Sequence, residues 1–336
     1  MTKEKEHGFF TRSRIIFYVL SIGVFYFALH YIGKLDDIKT LLLEMSPAWL
    51  WLAIGAQITT YLLYAYVLKV LLSKDSKLIP FRILFKTSIV IIFINQALPT
   101  GGISGNGYVF NQLVKRKVGA NRVFSVIVSE SICYYTAFLL LLITFFSWYQ
   151  IVATKYNSTI MYVAILGFVF YSCLGFLMFS LSNQKILSYI LRKLAKFPRI
   201  QKYLESVKFA SFTGNNEGVF KLLLKDKASL VKAIGLQVGL ISCDVLTVFA
   251  VIKGLHVAIP FYAMVLGLLL SIVIGALPIS PGSLIVYESA MTYFFTTMGV
   301  PIHASLIITL LFRFLTFWLP IPVGLALYKN LEQKQT

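Results

Sequence analysis

Two helix-breaking phrases, each inside a strongly apolar stretch, constrain this chain more than any other feature of its sequence. Residues 97–102 read ALPTGG and residues 276–282 read ALPISPG. A further glycine follows each phrase at the same distance from its last glycine (102 to 119 and 282 to 299). A broken helix in lipid leaves backbone groups without hydrogen-bond partners, so it is tolerated only where protein or a water-filled cavity surrounds it. Paired breaks at corresponding positions therefore predict a substrate site between two halves of a transporter.

Long apolar runs surround these breaks. Of the 336 residues, 58% are hydrophobic and 13% are charged, and the mean hydropathy is +0.80. About 20 apolar residues are enough to cross a bilayer as a helix, and runs of this kind recur along the chain. We predict an all-α integral membrane protein with six spanning helices at 15–32, 48–71, 123–149, 159–182, 229–252 and 303–328, and two broken segments at 83–114 and 260–298.

The basic residues set the predicted orientation. The net charge of +18 arises mainly in the connecting segments, where the positive-inside rule and anionic lipid account for it without nucleic acid. Counted over these segments, one side of the membrane has 25 Lys and Arg residues and the other side has four. This asymmetry predicts that both termini lie in the cytoplasm.

The same count predicts what the broken segments are. The loops at 69–82 and 115–122 are both strongly basic, so segment 83–114 should enter and leave the membrane on the cytoplasmic side. Its arms would measure roughly 24 and 18 Å as helices, which is less than the roughly 30 Å hydrocarbon core. We therefore predict a re-entrant hairpin here, and a second one at 260–298 that enters from the opposite face. Two proline-kinked spans in an ordinary bundle are the alternative.

Comparison of the spans that flank the two broken segments predicts an inverted repeat. The first repeat covers 48–149 with its hairpin, and the second covers 229–328 with its hairpin. Every segment direction is reversed between them, as in transporters whose substrate site lies near the bilayer midplane. The cytoplasmic segment 183–228 begins with an apolar helical face that is typical of an amphipathic helix on the anionic inner leaflet. It could anchor the chain there or recognise particular lipids.

Ionisable side chains inside spanning segments are costly, so each is a candidate for function. Arg313 lies in the middle of the last span, Glu288 follows the second break, and Glu130 and Asp244 lie in two further spans. One cation and three carboxylates predict a charged cluster beside a water-filled cavity, with Arg313, Glu288 and Glu130 in contact with substrate. The alternatives are that Arg313 and Glu288 only neutralise each other, and that Glu130 and Asp244 have structural roles.

The two breaks add a second type of binding group. Glycines permit tight turns and close approach of the backbone. Half-helices that start near Ile103 and Ser283 would point free N–H groups and positive dipole ends at the midplane, which suits a phosphate or carboxylate. Asparagine and glutamine side chains around the first break add neutral hydrogen-bonding groups or serve helix packing. The predicted contacts at the breaks are Gly101, Gly102, Asn106, Gly282 and Ser283, and the predicted helix breakers are Pro99, Pro278 and Pro281.

Signatures of an enzyme are largely absent from the sequence. The four histidines are scattered, without an HExxH pattern, and GGISGNG lacks the Lys-Ser/Thr ending of a nucleotide-binding loop. No serine near the breaks has a histidine neighbour to activate it. We therefore predict no catalytic residue, no metal site and no cofactor, and a chain that transports rather than catalyses.

Three motifs resemble the lysylphosphatidylglycerol synthase transmembrane-region family, over residues 12–328: ALPTGGISGN, LPISPGSLIVYES and LLFRFLTFWLPIPVG. The second is similar to the family pattern of Pro, Pro-Gly-Gly and a later Glu, at Pro278, Pro281, Gly282 and Glu288. The third is similar to its late Arg, aromatic-Leu-Pro and Gly, at Arg313, Trp318, Pro320 and Gly324. Glu130 fits the acidic position of the family in the span after the first break. The chain departs from the family pattern at Ser283, Tyr287, Ser104–Asn106 and Ser131.

The resemblance implies a multi-pass protein of the bacterial plasma membrane that moves a phospholipid-type substrate between leaflets, such as aminoacyl-phosphatidylglycerol or a lipid-linked sugar. Two-part relatives continue into a synthase domain after the last span, whereas this chain ends eight residues after Tyr328. We therefore expect the flippase half alone, with membrane phospholipid, anionic inner-leaflet lipid and a separate lipid-modifying enzyme as partners. One alternative is a phosphatidylglycerol lysyltransferase or its membrane subunit, acting in lipid modification and resistance to cationic peptides. Another is a small-solute transporter.

Overall fold

Helices make up the regular structure of the described part of the chain. The computed structural model describes residues 46–97, 103–153, 157–181, 226–277 and 283–333, together with 183, 186 and 189. Ten α-helices and no strand occur in these residues. Outside them lie the predicted span 15–32, most of segment 183–228, the predicted breakers Pro99, Pro278 and Pro281, and the predicted contacts Gly101, Gly102 and Gly282.

The helices follow one another with short connections. In chain order they are α1 (Pro47–Leu72), α2 (Phe81–Ala97), α3 (Ile103–Lys115), α4 (Ala120–Val152), α5 (Ser158–Leu181), α6 (Lys227–Gly254), α7 (Phe261–Ala276), α8 (Val286–Thr297), α9 (Ile302–Arg313) and α10 (Pro320–Gln333). A 3₁₀ turn (Ser73–Leu78) follows α1, and a π-helical segment (Phe314–Trp318) lies between α9 and α10.

Five helices are long and apolar enough to cross a membrane. They are α1, α4, α5, α6 and the continuous stretch Ile302–Leu331, which contains α9, the π segment and most of α10. They coincide with the predicted spans between residues 48 and 328, and a multi-pass helical membrane protein is thereby confirmed. Helices α2, α3, α7 and α8 have 17, 13, 16 and 12 residues. They are roughly 18 to 26 Å long, which is shorter than a bilayer core.

Helices α1 and α6 form an antiparallel pair. Near the start of α1, the ring of Trp49 lies 6.0 Å from the ring of Phe249 near the end of α6. Further along α1, Leu63 lies against Gly239, where an added Cβ would be 3.4 Å from the leucine Cδ1. The contacts advance along α1 while they go back along α6. The two helices therefore end at opposite ends of the bundle.

The end of α1 and the start of α4 lie together. Arg122, in the first turn of α4, donates hydrogen bonds to the carbonyl oxygens of Leu71 and Leu72 at 2.9 and 3.1 Å. The same guanidinium pairs with Asp75 at 3.3 Å. Helices α2 and α3 connect these two places, so this pair of short helices starts and finishes at one end of the bundle.

Helices α7 and α8 pack against each other in antiparallel order at two glycines. The ring of Phe295 lies against Gly267, and the ring of Tyr287 lies against Gly275; an added Cβ would be 2.9 and 2.5 Å from the nearest ring atom. The two contacts are eight residues apart on each helix (267 to 275 and 295 to 287) and run in opposite directions. Because α7 follows directly after α6, this pair starts and finishes at the other end of the bundle.

The second break is longer than predicted. Helix α3 begins at Ile103, as expected, but α8 begins at Val286 rather than near Ser283. Ser283 and Ile285 have φ angles of 54° and 72°, in the left-handed region that interrupts a right-handed helix. The Ser283 hydroxyl donates to the carbonyl of Gly275, which joins the two sides of the break.

Each half packs a short helix on a spanning helix of the other half. In one contact, Lys86 Nζ of α2 donates to Asn330 Oδ1 of α10 at 3.2 Å. In the next, Phe93 of α2 fills the space beside Gly324 that a Cβ would need. Helix α7 contacts α4 through the rings of Phe261 and Phe145, 6.0 Å apart. The two halves are therefore interlocked.

The first two helices, α1 and α2, recur in the second half as α6 and α7 at a constant offset in residue number. Helices α1 and α6 begin at positions 47 and 227, and helices α2 and α7 begin at positions 81 and 261. The tripeptide Ile-Pro-Phe occurs at 79–81 and again at 259–261, and in both halves the short helix begins directly after the proline. We call two positions equivalent when they are related by this same offset, as 47 is to 227.

Candidate functional site

Arg313 and Glu288 form a buried ion pair where α8 meets the end of α9. Arg313 Nε donates to Glu288 Oε1 at 2.7 Å, and the two side chains are only 10% and 13% exposed. Arg313 ends α9, and Glu288 lies in the first turn of α8. Little water reaches either charge, so removal of one partner would leave the other uncompensated. The structure thus brings together two of the four ionisable residues singled out from the sequence.

Aromatic rings hold the guanidinium in place. Its carbon lies 4.7 Å from the ring centroid of Tyr287 and 4.3 Å from that of Phe317, within cation–π range. Tyr287 is itself fixed against Gly275 and stacks on Phe312 with 16° between the ring planes. A guanidinium held in this way keeps its planar donors oriented for a carboxylate or a phosphate.

The helix widens directly after Arg313. The π-helical segment there is a form that occurs frequently at functional sites. Pro320 has no N–H to donate to the carbonyl of Thr316, four residues earlier. Gln96 Nε2, at the end of α2, donates to this oxygen instead, at 2.8 Å. The end of α2 therefore contacts the last span within one turn of Arg313.

Two acceptor atoms beside these contacts lack a donor in the described part of the chain. They are Glu288 Oε2 and Gln96 Oε1, and both are buried. Buried polar atoms almost always have a hydrogen-bond partner, so two such oxygens indicate room for a donor from a ligand or an ordered water. The site thus combines a guanidinium with acceptors in one place.

Glu130 and Asp244 do not join this ion pair. Gln237 Nε2 of α6 donates to Glu130 Oε1 at 3.1 Å. Gln57 Nε2 of α1 donates to Asp244 Oδ1 at 3.0 Å and to Thr247 Oγ1 at 2.9 Å. The charged cluster expected from the sequence is therefore divided into one ion pair and two carboxylate–glutamine pairs, because α1, α4 and α6 hold these carboxylates at their own contacts.

The remaining described residues of the predicted site lie near the breaks. Asn106 is partly buried on α3, and Ser283 closes the second break. Asn95 Oδ1 accepts a hydrogen bond from the Gly105 backbone N–H at 3.0 Å, so this asparagine joins α2 to α3. Within the described residues, no group of three or more His, Cys, Asp and Glu side chains could hold a metal ion.

Sequence patterns do not single out Gln57 or Gln237, and they mark Tyr287 only as a departure from the family pattern. A lone glutamine in an apolar helix has no spacing partner along the chain, and a tyrosine there is usual for packing. The equivalence of positions 57 and 237 is the signal that identifies the two glutamines. Tyr287 would require knowledge of the contact with Gly275.

The sequence similarity to known proteins extends over both halves of this chain. The sequence model of the lysylphosphatidylglycerol synthase transmembrane region matches residues 14–324. A UPF0104 membrane protein of Methanocaldococcus jannaschii is 22% identical over 328 residues, which cover 91% of this chain and 92% of that protein. The family match includes both breaks and the Arg313–Glu288 ion pair. The chain therefore belongs to the lysylphosphatidylglycerol synthase transmembrane-region family.

Proposed function

We propose that this protein moves a phospholipid-type lipid between the leaflets of the cell membrane, with both of its termini in the cytoplasm. The observation that carries the proposal is the Arg313–Glu288 ion pair, buried between the second hairpin and the last span. Ionisable groups inside spanning segments are costly and commonly mark substrate pathways. Membership of a lipid-related membrane family supports a lipid rather than a soluble solute.

The packing of the short helices supports two re-entrant hairpins that enter from opposite faces. Helices α2 and α3 return to the end of the bundle at which Arg122 binds Leu71 and Leu72. Helices α7 and α8 return to the other end, because α6 runs antiparallel to α1. In this arrangement both breaks meet inside the membrane, as expected for an inverted repeat with its site near the midplane.

The chemistry of the site suits a phosphate-bearing headgroup that also has hydrogen-bond donors. A guanidinium binds phosphate in bidentate geometry, and Glu288 Oε2 and Gln96 Oε1 would accept from ammonium or hydroxyl groups. Aminoacyl-phosphatidylglycerol and lipid-linked sugars both have this combination. In this proposal a separate lipid-modifying enzyme supplies the lipid, and the route past Arg313 is lined by Gly101, Gly102, Asn106, Glu130, Gly282, Ser283 and Glu288.

Transport by the purified protein tests the proposal directly. Vesicles with the wild-type protein should move labelled anionic or zwitterionic phospholipids between leaflets faster than empty vesicles, as measured by chemical quenching of the outer-leaflet label. Arg313→Ala should reduce this rate to that of empty vesicles. Arg313→Lys keeps the charge but loses the planar donor pair, so it should be strongly impaired while still folded.

The matched control is Arg122→Ala. Arg122 also forms an ion pair, but its side chain is 23% exposed and lies at the end of α1, so transport should continue. Wild-type vesicles that are no faster than empty ones, for all lipids tested, would contradict the proposal. Mass spectrometry of a deletion strain separates transport from synthesis: transport predicts altered sidedness of aminoacyl-lipid, whereas an altered total would indicate the enzyme.

A further inference from the structure

Two buried glutamines at equivalent positions each bind a carboxylate of the other half. Gln57 and Gln237 both lie ten residues after the first residue of their helix (47 to 57 and 227 to 237). They are 4% and 1% exposed. Gln57 of the first half binds Asp244 of the second, and Gln237 of the second half binds Glu130 of the first. The two halves therefore resemble each other in a carboxamide–carboxylate pair as well as in the arrangement of their helices.

Both pairs lie far from the ends of the spanning helices. Glu130 is ten residues after the start of α4, and Asp244 is ten residues before the end of α6 (120 to 130 and 244 to 254). Each distance is about 15 Å along the helix. Gln237 and Asp244 are seven residues apart on one face of α6, which is about 10 Å along its axis. The two pairs thus lie on either side of the middle of α6.

Neither carboxylate forms an ion pair with a described residue; the described ion pairs are Arg313–Glu288 and Arg122–Asp75. An ionised carboxylate without a cation partner is very unfavourable inside a membrane, and a bound proton removes that charge. One atom beside Glu130 also lacks a donor: Gln237 Oε1 is buried and accepts no hydrogen bond from the described residues.

A protonated carboxyl group would supply this missing donor. Gln237 already donates through Nε2 to Glu130 Oε1. An O–H on the other carboxyl oxygen can donate back to Gln237 Oε1, because an acid and a primary amide are complementary in donors and acceptors. The pair then has two hydrogen bonds and no net charge. In the other pair Gln57 likewise donates through Nε2 to Asp244 Oδ1, and it shares this nitrogen with Thr247 Oγ1.

We propose that Glu130–Gln237 and Asp244–Gln57 are two proton-binding sites, each of which holds one proton at neutral pH, and that lipid movement is coupled to release and uptake of these protons. On release, the carboxyl O–H bond breaks, the proton passes to water, and the amide N–H continues to stabilise the carboxylate. Uptake reverses this step, and nothing is oxidised or reduced. The coupling rests on the proposed function, whereas the proton binding does not.

Two tyrosines lie within electrostatic range of these carboxylates. Tyr134 of α4 interacts electrostatically with both Glu130 and Asp244. Tyr287 of α8 interacts with Asp244 as well as with Arg313 and Glu288. The other titratable groups that face the two carboxylates are Tyr64, Cys133 and Tyr135 for Glu130, and Tyr61 and Cys243 for Asp244. Tyrosine and cysteine are ordinarily neutral at pH 7, so none of these groups replaces the proton.

Infrared difference spectroscopy of the full-length protein in vesicles tests proton binding. At neutral pH the wild-type protein should show a carbonyl band of protonated carboxyl groups that shifts in deuterated water. Glu130→Gln and Asp244→Asn should each remove about half of this band, and the double variant should remove it. Asp75→Asn is the matched control, because this exposed carboxylate is paired with Arg122; it should leave the band unchanged.

Absence of the deuterium-sensitive band from the wild-type protein at neutral pH would overturn the proposal without any variant having to fold. A band that survives in the double variant would overturn it as well. Coupling is tested in the vesicles used for lipid movement: a pH gradient should change the wild-type rate several-fold and leave the rate of either single variant unchanged.

A sodium gradient at equal pH should have no effect, and a response to sodium in place of protons would contradict the assignment. If lipid moves but the pH gradient has no effect, the coupling is wrong. If no lipid moves under any condition, the proposed function fails, while the infrared result still decides whether the two sites bind protons.

Discussion

The short helix pairs α2–α3 and α7–α8 occupy corresponding places in the two halves, but different side chains hold them. In the second half, Glu288 and Arg313 form an ion pair of 2.7 Å. The equivalent positions of the first half are Tyr108 and Cys133. Tyr108 lies with its ring 5.7 Å from that of Tyr328, and Cys133 is buried. A pair of short helices therefore packs in the first half without a charge at these positions, so packing alone does not require the ion pair of the second half.

The largest effect should come from breaking the ion pair on the carboxylate side. Glu288→Ala leaves the charge of Arg313 buried without its partner, which should cost about 3–5 kcal/mol of stability and abolish lipid movement. At the equivalent position of the first half, Tyr108→Phe leaves no charge buried, so it should cost about 1 kcal/mol or less. Thermal unfolding in detergent and the vesicle assay measure both effects. Equal losses from the two variants would show that the halves do not differ as we infer.

A smaller effect should come from adding a side chain at Gly275, against which the ring of Tyr287 packs beside the guanidinium. An alanine Cβ at Gly275 would be 2.5 Å from Tyr287 Cδ2, so Gly275→Ala must displace the ring or separate α7 from α8. Overpacking of this kind costs about 1–3 kcal/mol, and transport should fall because Arg313 loses a supporting ring.

Gly235→Ala is the matched control for this change. No heavy atom lies within 4 Å of an added Cβ at Gly235 in α6, and alanine favours the helix over glycine by about 0.5–1 kcal/mol. This variant should be as stable as the wild type or more so. If Gly275→Ala were equally harmless in thermal unfolding and transport, the tight packing of α7 on α8 would not position Arg313.

The smallest effect concerns the starts of α1 and α6. Asp226 caps α6 by accepting from the Ser229 hydroxyl at 2.6 Å and the Ser229 N–H at 3.1 Å, whereas the equivalent Ser46 makes no side-chain cap before α1. These hydrogen bonds to the Ser229 side chain and backbone lower the pKa of Asp226 from its usual 3.8. Because the pKa is lower in the folded state, the stabilisation is present above the unfolded pKa and is lost as pH falls through the folded value.

Asp226→Asn should therefore change stability by no more than about 0.5 kcal/mol at neutral pH, since asparagine caps helices about as well. Below pH 3.8, the wild type should lose a small increment of stability that the variant does not lose. Thermal unfolding at several pH values measures the difference. Parallel pH profiles for the two proteins would exclude this contribution of the cap.

The spanning helices follow from the sequence because each is a long apolar run with basic residues concentrated at one end. The two breaks also follow, since proline and glycine interrupt apolar helices wherever they fall together. The start of α8 does not follow, because the left-handed backbone at Ile285 is unusual for a β-branched residue. It accompanies a local contact, the hydrogen bond from Ser283 to the Gly275 carbonyl, that no periodicity encodes.

The site was only partly predictable for a related reason. Arg313 and Glu288 are identifiable because charges are rare in apolar segments. Their pairing was one of two alternatives, because these two residues can meet only if α8 packs against the end of α9. The partners of Glu130 and Asp244 are neutral glutamines from helices that are distant in the sequence. Neutral partners leave no charge pattern in the sequence, and only the constant offset between the two halves relates Gln57 to Gln237.

The interlocking of the halves has a consequence for biosynthesis. Helix α2 finds its neighbour in α10, at Asn330 and Gly324, and a ribosome adds those residues long after it has completed α2. At about 5–20 residues per second, synthesis reaches α10 roughly 10 to 50 seconds after α2 is complete. Until then α2 lacks the helix against which it packs. During that interval we expect the insertion machinery or a chaperone to keep the short helices of the first half out of contact with lipid. Two fragments made separately, divided between α5 and α6, would need each other for the same reason.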